Sequence, residues 1–249
     1  MILTIAKREF YSMFYSPLAW VILAVIQVIL AWSFFTSVDY FFSIQSELTT
    51  IKNAPGVTDL VATPLFEVAS IILLMVIPLL TMRLISEEKR NRTISLLLSS
   101  PVSISEIVIG KYLGLLFFII TMLLLITLMP LSLSIGTELD LIKIFSGILG
   151  LFLILAAFSA AGVYMSSLTD NPMIAAISTF GLLLFLWLLN NSTAADGGSN
   201  VLNYLSLHTH FAPLLRGIFN TSDIAYFLLF IAGFIALTIR QLETQRLQS

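Results

Sequence analysis

The 249-residue chain is 58% apolar and only 10% charged, and its mean hydropathy is +1.01. Because about a quarter of the residues of a water-soluble domain are charged, this composition excludes a soluble globular protein and requires a surface that mostly faces lipid. The chain has no cysteine, which excludes a disulfide framework, a thiol nucleophile and a cysteine-ligated metal site.

The first predicted element is an amphipathic helix over residues 1–16. Its apolar side chains recur at three- and four-residue spacing, at Leu3, Ala6, Phe10, Met13 and Phe14. Lys7 and Arg8 fall on the opposite side, a pattern typical of a helix that lies along a membrane surface. Pro17 is expected to break this helix before the first span. It either anchors the chain or also contacts a cytoplasmic partner.

Six charge-poor runs are long enough to cross about 30 Å of hydrocarbon as helices, which takes about 20 residues. They are Leu18–Val38, Leu65–Met82, Tyr112–Leu131, Ile144–Leu168, Pro172–Asn190 and Ile224–Ile239. The alternation expected of a membrane barrel is absent. The sequence therefore predicts an all-α polytopic membrane protein with six transmembrane helices, forming one transmembrane domain over residues 1–249. Glycines and alanines in the fourth run predict close helix packing.

The basic residues predict the orientation of the chain. With six crossings, Lys52, Lys143 and Arg216 lie opposite the N-terminus, and the other nine of the twelve lysines and arginines lie on its side. Because cytoplasmic loops are enriched in lysine and arginine, both termini are predicted to be cytoplasmic.

The segment 83–108 is predicted to form a cytoplasmic docking surface. It opens with the densest charged run of the chain, Arg83–Thr93. Ile94, Leu97 and Leu98 follow on one face of a short helix. Ser103 and Glu106 then form a capping-box pattern that starts the helix of the third span. The alternative is a solvated loop that only sets topology, but such a loop needs neither an apolar stripe nor a capped restart.

The outer segment 191–223 is predicted to form a re-entrant helical hairpin. Its apolar stretches Val201–Leu207 and Phe211–Phe219 are too short to span, and the triplet His208-Thr209-His210 separates them. Backbone that dips into a membrane needs protection by protein or by a watery cavity. The hairpin is therefore expected to pack against a partner subunit or at the exit of a pathway.

No catalytic or metal site is predicted. His208 and His210 are the only histidines, and no nearby acidic cluster completes a site, since Asp223 is distant in sequence. Glu67 lies near the outer boundary of the second run, where a structural role is favoured. A glycine-rich phosphate loop is missing, so the chain is not expected to hydrolyse a nucleotide by itself.

The stretch Ile85–Ser103 resembles a segment in the membrane subunit of type-2 ABC exporters, close to the gliding-motility-associated and copper-processing permeases. In that family, glutamate, basic residues, glycine and threonine precede a leucine-rich stretch and a proline before the third span. Here Asn91-Arg92 stands where the family commonly has the glycine. The resemblance covers nearly the whole chain and extends to the outer hairpin, at Leu205-Ser206-Leu207, His210-Phe211, Arg216-Gly217 and Ser222–Leu228.

The resemblance implies a permease subunit that is not an enzyme and holds no cofactor or metal, since ATP and magnesium would bind a separate cytoplasmic ABC ATPase. The residues implied to couple to this ATPase are Glu87, Glu88, Arg90, Arg92, Thr93, Ile94, Leu97 and Leu98. Lys7 and Arg8 would form a second ATPase contact. The implied outer-hairpin residues are Leu205, His210, Phe211, Leu214 and Arg216.

The implied working unit is two permeases, identical or different, with two ATPases in the lipid of the bacterial cytoplasmic membrane, and it binds no nucleic acid. Export of an amphipathic or lipid-linked substrate is the expected function. One alternative is a mechanical transducer that passes the force of the ATPase to periplasmic or extracellular partners. A secondary transporter is the other, but ion coupling needs intramembrane ionisable residues and Glu67 alone is a poor supply.

Overall fold

A computed structural model of the chain describes residues 1–48, 55–93, 102–137, 139–192 and 204–248. These ranges are helical apart from turns and short connections, and they contain no strand. The α-helices in them are α1 (Ile2–Tyr15), α2 (Pro17–Leu48), α3 (Thr63–Thr81), α4 (Ser86–Arg90), α5 (Ile104–Ser132), α6 (Leu141–Leu168), α7 (Pro172–Ser192), α8 (Leu207–Leu215) and α9 (Thr221–Gln248). A π-helical turn, Thr58–Ala62, precedes α3.

The prediction of six spans is confirmed. Within the described residues, six helical segments are long and apolar enough to cross a membrane: Pro17–Glu47, Thr58–Arg90, Ile104–Ser132, Leu141–Leu168, Pro172–Leu189 and Thr221–Arg246. The all-α polytopic class is therefore correct. The helices extend beyond the apolar runs, because backbone hydrogen bonding continues past the first charged side chain. Thus α5 begins at Ile104, directly after the predicted cap Ser103 and ahead of the apolar run that begins at Tyr112, so Lys111 lies inside the helix.

Helix α6 lies at the centre of the bundle, where it contacts α3, α5, α7, α8 and α9. A Cβ atom added to Gly147 would lie 2.6 Å from the ring of Phe66 in α3, and one added to Gly150 would lie 2.8 Å from Leu214 Cβ in α8. Its fully buried small residues include Ala157, Ala160 and Ala161. Small side chains let helices approach closely, so the predicted packing role of this span is confirmed.

Helix α1 packs along the first turns of α5. A Cβ atom added to Gly110 would lie 2.8 Å from Ile5 Cβ, and one added to Gly114 would lie 2.8 Å from the carbonyl oxygen of Ala6. The predicted apolar face faces this contact, except that Leu3 is exposed. The helix ends before Ser16, whose backbone is extended, and α2 begins at Pro17, so the predicted break is confirmed.

The helix ends gather at two opposite ends of the bundle. One end, called the α1 end, holds α1, α4, the start of α5 and the end of α6. The other, called the α8 end, holds the turn before α3, the start of α6, α8 and the start of α9. Successive long helices thus run in alternate directions, as six consecutive crossings require.

The structure corrects the prediction for the outer segment. Helix α8 includes the histidine triplet, which was predicted to separate two helices, and it ends before Ile218 and Phe219. His210 belongs to the buried face of α8, which also holds Leu207, Phe211 and Leu214. The prediction was wrong because it treated the histidines as polar spacers, whereas the ring of His210 has buried partners. Residues 201–203 of the first predicted stretch lie outside the described residues.

Candidate functional site

Helix α4, which leads into the predicted docking segment, is anchored to the end of α6 by polar contacts. Ser166 Oγ accepts hydrogen bonds from the backbone N–H groups of Ile85 at 3.2 Å and Ser86 at 3.0 Å. The same hydroxyl donates to the carbonyl oxygen of Met82 at 3.0 Å, so its hydrogen-bonding capacity is filled. The ammonium of Lys89 donates to the carbonyl oxygen of Ser167. Helix α4 is therefore held to the C-terminal end of α6 through Ser86 and through Lys89.

A buried ion network joins α1, α4 and α5. Lys111 is only 3% exposed, and its Nζ lies 2.7 Å from Glu9 Oε1 and 2.7 Å from Glu88 Oε1. The side chains of Glu9 and Glu88 are 17% and 21% exposed. Buried charges are tolerated when they are paired, and here one ammonium serves two carboxylates. The network therefore fixes three helices at the α1 end to one another.

The sequence analysis placed Lys111 at the edge of the third span and missed this network. A signal for it does exist in the sequence. Lys111 lies between Gly110 and Gly114, and these glycines bring the backbone of α1 close to α5. A lysine between two glycines that are four residues apart lies next to a close helix contact, where it needs an acidic partner on the neighbouring helix.

Helix α4 ends in a Schellman motif whose left-handed residue is Arg92, with φ of 55°. The N–H of Arg92 donates to the carbonyl of Lys89 at 3.0 Å, and the N–H of Thr93 donates to that of Glu88 at 3.0 Å. Helix α8 ends in the same way, with Gly217 at φ of 80°. The turn therefore needs the conformation that glycine adopts without strain, within the Asn91-Arg92 pair that the resemblance sets against a glycine.

Replacing Arg92 with glycine is expected to stabilise the protein by about 1 kcal/mol, because a left-handed conformation costs an ordinary L-residue about 1–2 kcal/mol. Thermal unfolding of the detergent-solubilised chain measures the change. Asn91→Gly is the matched control, since Asn91 has φ of −81° and gains nothing from glycine. A loss of stability in Arg92→Gly as large as that in Asn91→Gly would contradict the assignment.

The structure brings part of the predicted coupling set together at the α1 end. Glu87, Arg90, Arg92 and Thr93 are exposed there, whereas Glu88 turns inward to Lys111. The predicted stripe of Ile94, Leu97 and Leu98 lies outside the described residues. On α1, Lys7 and Arg8 are exposed, and Arg8 shares a cleft with Glu87 and Lys111. The two predicted ATPase contacts are therefore neighbours in space.

A second polar cluster at the α8 end is built around His210. Its Nδ1 lies 2.7 Å from Asp223 Oδ1 in α9, and its Nε2 lies 3.0 Å from the carbonyl oxygen of Tyr204. The imidazole stacks on the ring of Tyr226 at 4.1 Å, and the Tyr226 hydroxyl donates to the carbonyl oxygen of Leu205 at 2.8 Å. Asp223, which is distant from His210 in sequence, is therefore its direct partner in space.

The other predicted hairpin residues divide into a buried set and an exposed set. Phe211 and Leu214 are fully buried, and the Ser146 hydroxyl of α6 donates to the carbonyl oxygen of Leu214 at 2.7 Å. Leu205 and Arg216 are exposed. These contacts attach α8 to α6, and they leave Leu205 and Arg216 at the surface of the α8 end.

The two histidines have different acidic neighbours. His208 Nε2 lies 3.9 Å from Glu67 Oε1, and its ring contacts Trp187 edge to face at 4.9 Å. Since His210 faces Asp223 instead, the two imidazoles do not converge on one point. Glu67 and His208 thus connect α3 to α8.

These features define the class of protein: a multi-pass, all-helical membrane protein whose polar networks are concentrated at the two ends of the bundle. Residues 3–247 match the family described as ABC-2 family transporter protein, and the chain belongs to this family. It is therefore the transmembrane subunit of an ABC transporter, in a family of membrane subunits that work with an ABC ATPase subunit and are generally not catalytic themselves. Among curated proteins, none matches this sequence.

Proposed function

We propose that the chain is the permease of an exporter for an amphipathic or lipid-linked substrate, in the gliding-motility and copper-processing subgroup of its family. Two permeases and two ATPases would form the transporter in the bacterial cytoplasmic membrane, with the α1 end in the cytoplasm. ATP and magnesium would be held by the ATPase subunits. The excess of lysine and arginine on the side of the N-terminus supports this orientation.

The observation that carries the proposal is the framework on both sides of residues 94–101. Before this segment, α4 is fixed to α6 through Ser166 and to α5 through Lys111. After it, Ser103 and Glu106 form the predicted capping box, with the Glu106 N–H donating to Ser103 Oγ at 3.2 Å. A partner that presses on this segment would therefore move the ends of α3, α5 and α6 together.

The N-terminal helix would share in this motion. Glu9 ties α1 to the same lysine that holds Glu88, and the exposed Lys7 and Arg8 lie on the α1 surface. An ATPase that grips both α1 and the segment 94–101 would thus act on one connected unit. Substrate would leave at the α8 end, beside the exposed Leu205 and Arg216.

The test is to replace Leu97 and Leu98 with aspartate and to measure association with the ATPase by pull-down from detergent. The two aspartates in the apolar stripe are expected to reduce the amount of retained ATPase at least about tenfold. Burying an unpaired carboxylate at an interface costs several kcal/mol. The matched control is Ser95→Asp with Ser99→Asp, which adds the same charge on the opposite face of the predicted helix. Full association of the Leu97 and Leu98 variant, or equal loss in the control, would refute the coupling role.

A further inference from the structure

A cleft of about 690 Å³ opens at the α1 end between the end of α3, α4 and the start of α7. One wall is apolar and comes from both long helices, with Leu79 and Met82 on α3 and Met173, Ala176 and Ile177 on α7. Met173 and Ile177 are 69% and 67% exposed. The cleft therefore has an apolar and largely exposed wall.

The rim of the same cleft carries two arginines, Arg83 and Arg90. Neither guanidinium makes an ion pair or hydrogen bond to any residue in the part of the chain that the structure describes. Two lysines at this end are engaged by other groups: Lys89 donates to the carbonyl oxygen of Ser167, and Lys111 pairs with Glu9 and Glu88. With Glu87 as the single acid in the lining, the cleft keeps a net positive charge.

We propose that this cleft binds an anionic lipid, with the phosphate of its head group on Arg83 and Arg90 and one acyl chain along the apolar wall. Arginine presents a planar fork of donors that matches a phosphate, and its guanidinium is weakly hydrated enough to bind at a membrane boundary. The volume lies within the range of small-molecule sites. Only an amphiphile satisfies the cationic rim and the apolar wall together.

The inference deepens the proposed function and rests on it for the orientation of the chain. With the α1 end in the cytoplasm, the cleft opens at the level of the inner-leaflet head groups. A lipid held there is positioned to enter between the permease subunits when the coupling segment moves. The substrate class of the exporter is therefore an anionic amphiphile taken from the inner leaflet.

The experiment counts lipids bound to the purified full-length chain by native mass spectrometry, with dioleoyl phosphatidylglycerol and dioleoyl phosphatidylcholine as probes. The wild-type chain is expected to bind phosphatidylglycerol about tenfold more tightly than phosphatidylcholine, as one lost charge-assisted contact implies. Arg83→Gln with Arg90→Gln is expected to remove this preference. Arg240→Gln, an exposed arginine on α9, is expected to keep it. Equal binding of both lipids by the wild type, or an unchanged preference in the double variant, would overturn the proposal.

The apolar wall is tested separately. Ala176→Trp fills the cleft with a large side chain and is expected to lower phosphatidylglycerol binding while both arginines remain. Glycerol 3-phosphate, which has the anionic group without acyl chains, is expected not to displace the lipid. Displacement by glycerol 3-phosphate would mean that the arginines bind a free anion, and undiminished binding to Ala176→Trp would place the lipid elsewhere; either result overturns the assignment.

The lipid proposal and the coupling proposal can be disproved separately. Arg83→Gln alone, at a cleft residue outside the predicted coupling set, is expected to weaken the lipid preference with the ATPase still bound. If this change instead abolishes ATPase association and leaves the lipid preference intact, Arg83 contacts the protein partner and the lipid proposal is wrong. If the Leu97 and Leu98 variant retains the ATPase while the wild type selects phosphatidylglycerol, the coupling proposal alone fails.

Discussion

Replacing Lys111 with methionine is expected to destabilise the protein by about 3–5 kcal/mol, the range for removing one partner of a buried ion pair. The variant leaves the carboxylates of Glu9 and Glu88 facing one another, since both lie 2.7 Å from the same ammonium. Each is largely shielded from water, so their repulsion is poorly screened. Thermal unfolding in detergent measures the loss.

Two further variants test whether the loss of stability comes from the buried charges. Combining Lys111→Met with Glu9→Gln and Glu88→Gln removes all three charges, and it is expected to restore most of the stability. Lys143 is the matched surface lysine: it is 32% exposed and lies 3.1 Å from Asp59 Oδ1. Lys143→Met should cost less than about 1 kcal/mol, as exposed pairs do. A Lys111→Met variant as mild as Lys143→Met would show that the network is not a stabilising element.

The network also explains why the fold could be predicted more fully than the site. Span number followed from the length and polarity of the apolar runs, which lipid imposes on any crossing helix. The same criterion stopped at the first lysine, so it began the apolar run at Tyr112, whereas the capping box at Ser103 correctly predicted that the helix itself begins earlier, at Ile104. A charge inside a helix is invisible to a polarity rule when its partners, Glu9 and Glu88, come from other helices.

The turn after α4 is a place where the sequence did indicate a structural requirement. The family resemblance marked Asn91-Arg92 as standing in the place of a glycine, and the structure places Arg92 of this pair in the left-handed region. A resemblance is informative there because one backbone dihedral constrains the residue type. The apolar stripe at Ile94, Leu97 and Leu98 lies outside the described residues, and its coupling role remains a prediction.

The cluster around His210 could not be predicted, because its contacts arise only when α8 and α9 pack. Asp223 is thirteen residues away in sequence, and Tyr204 contributes a backbone carbonyl that no side-chain pattern reveals. The alternation of apolar and polar residues placed the histidine triplet in a gap between helices. In the structure His210 takes the place of an apolar residue, since its ring stacks on Tyr226.

The geometry of this cluster fixes its charge. Both ring nitrogens of His210 face oxygen acceptors, one on Asp223 and one on the carbonyl of Tyr204. A carbonyl cannot donate, so Nε2 must carry a proton. The bond at Nδ1 then needs a second proton, on the imidazole or on the carboxyl group. In either arrangement the pair is neutral overall, as suits a site where both side chains are buried.

Removing the Asp223 carboxylate is consequently expected to destabilise the protein by about 3 kcal/mol, because Nδ1 of the buried His210 then loses its hydrogen-bond partner. Asp223→Ala tests this in thermal unfolding.

The control variant is Asp140→Ala. Asp140 is an exposed carboxylate that caps α6 by accepting from the N–H groups of Ile142 and Lys143, and its loss is expected to cost about 1 kcal/mol of stability. The substitution His210→Phe in the Asp223→Ala background keeps the stacking on Tyr226 without an unpaired ring nitrogen, so it should regain stability. Equal losses in Asp223→Ala and Asp140→Ala would mean that the buried pair does not hold α8 to α9, and that the packing of Phe211 and Leu214 on α6 alone secures this end of the bundle.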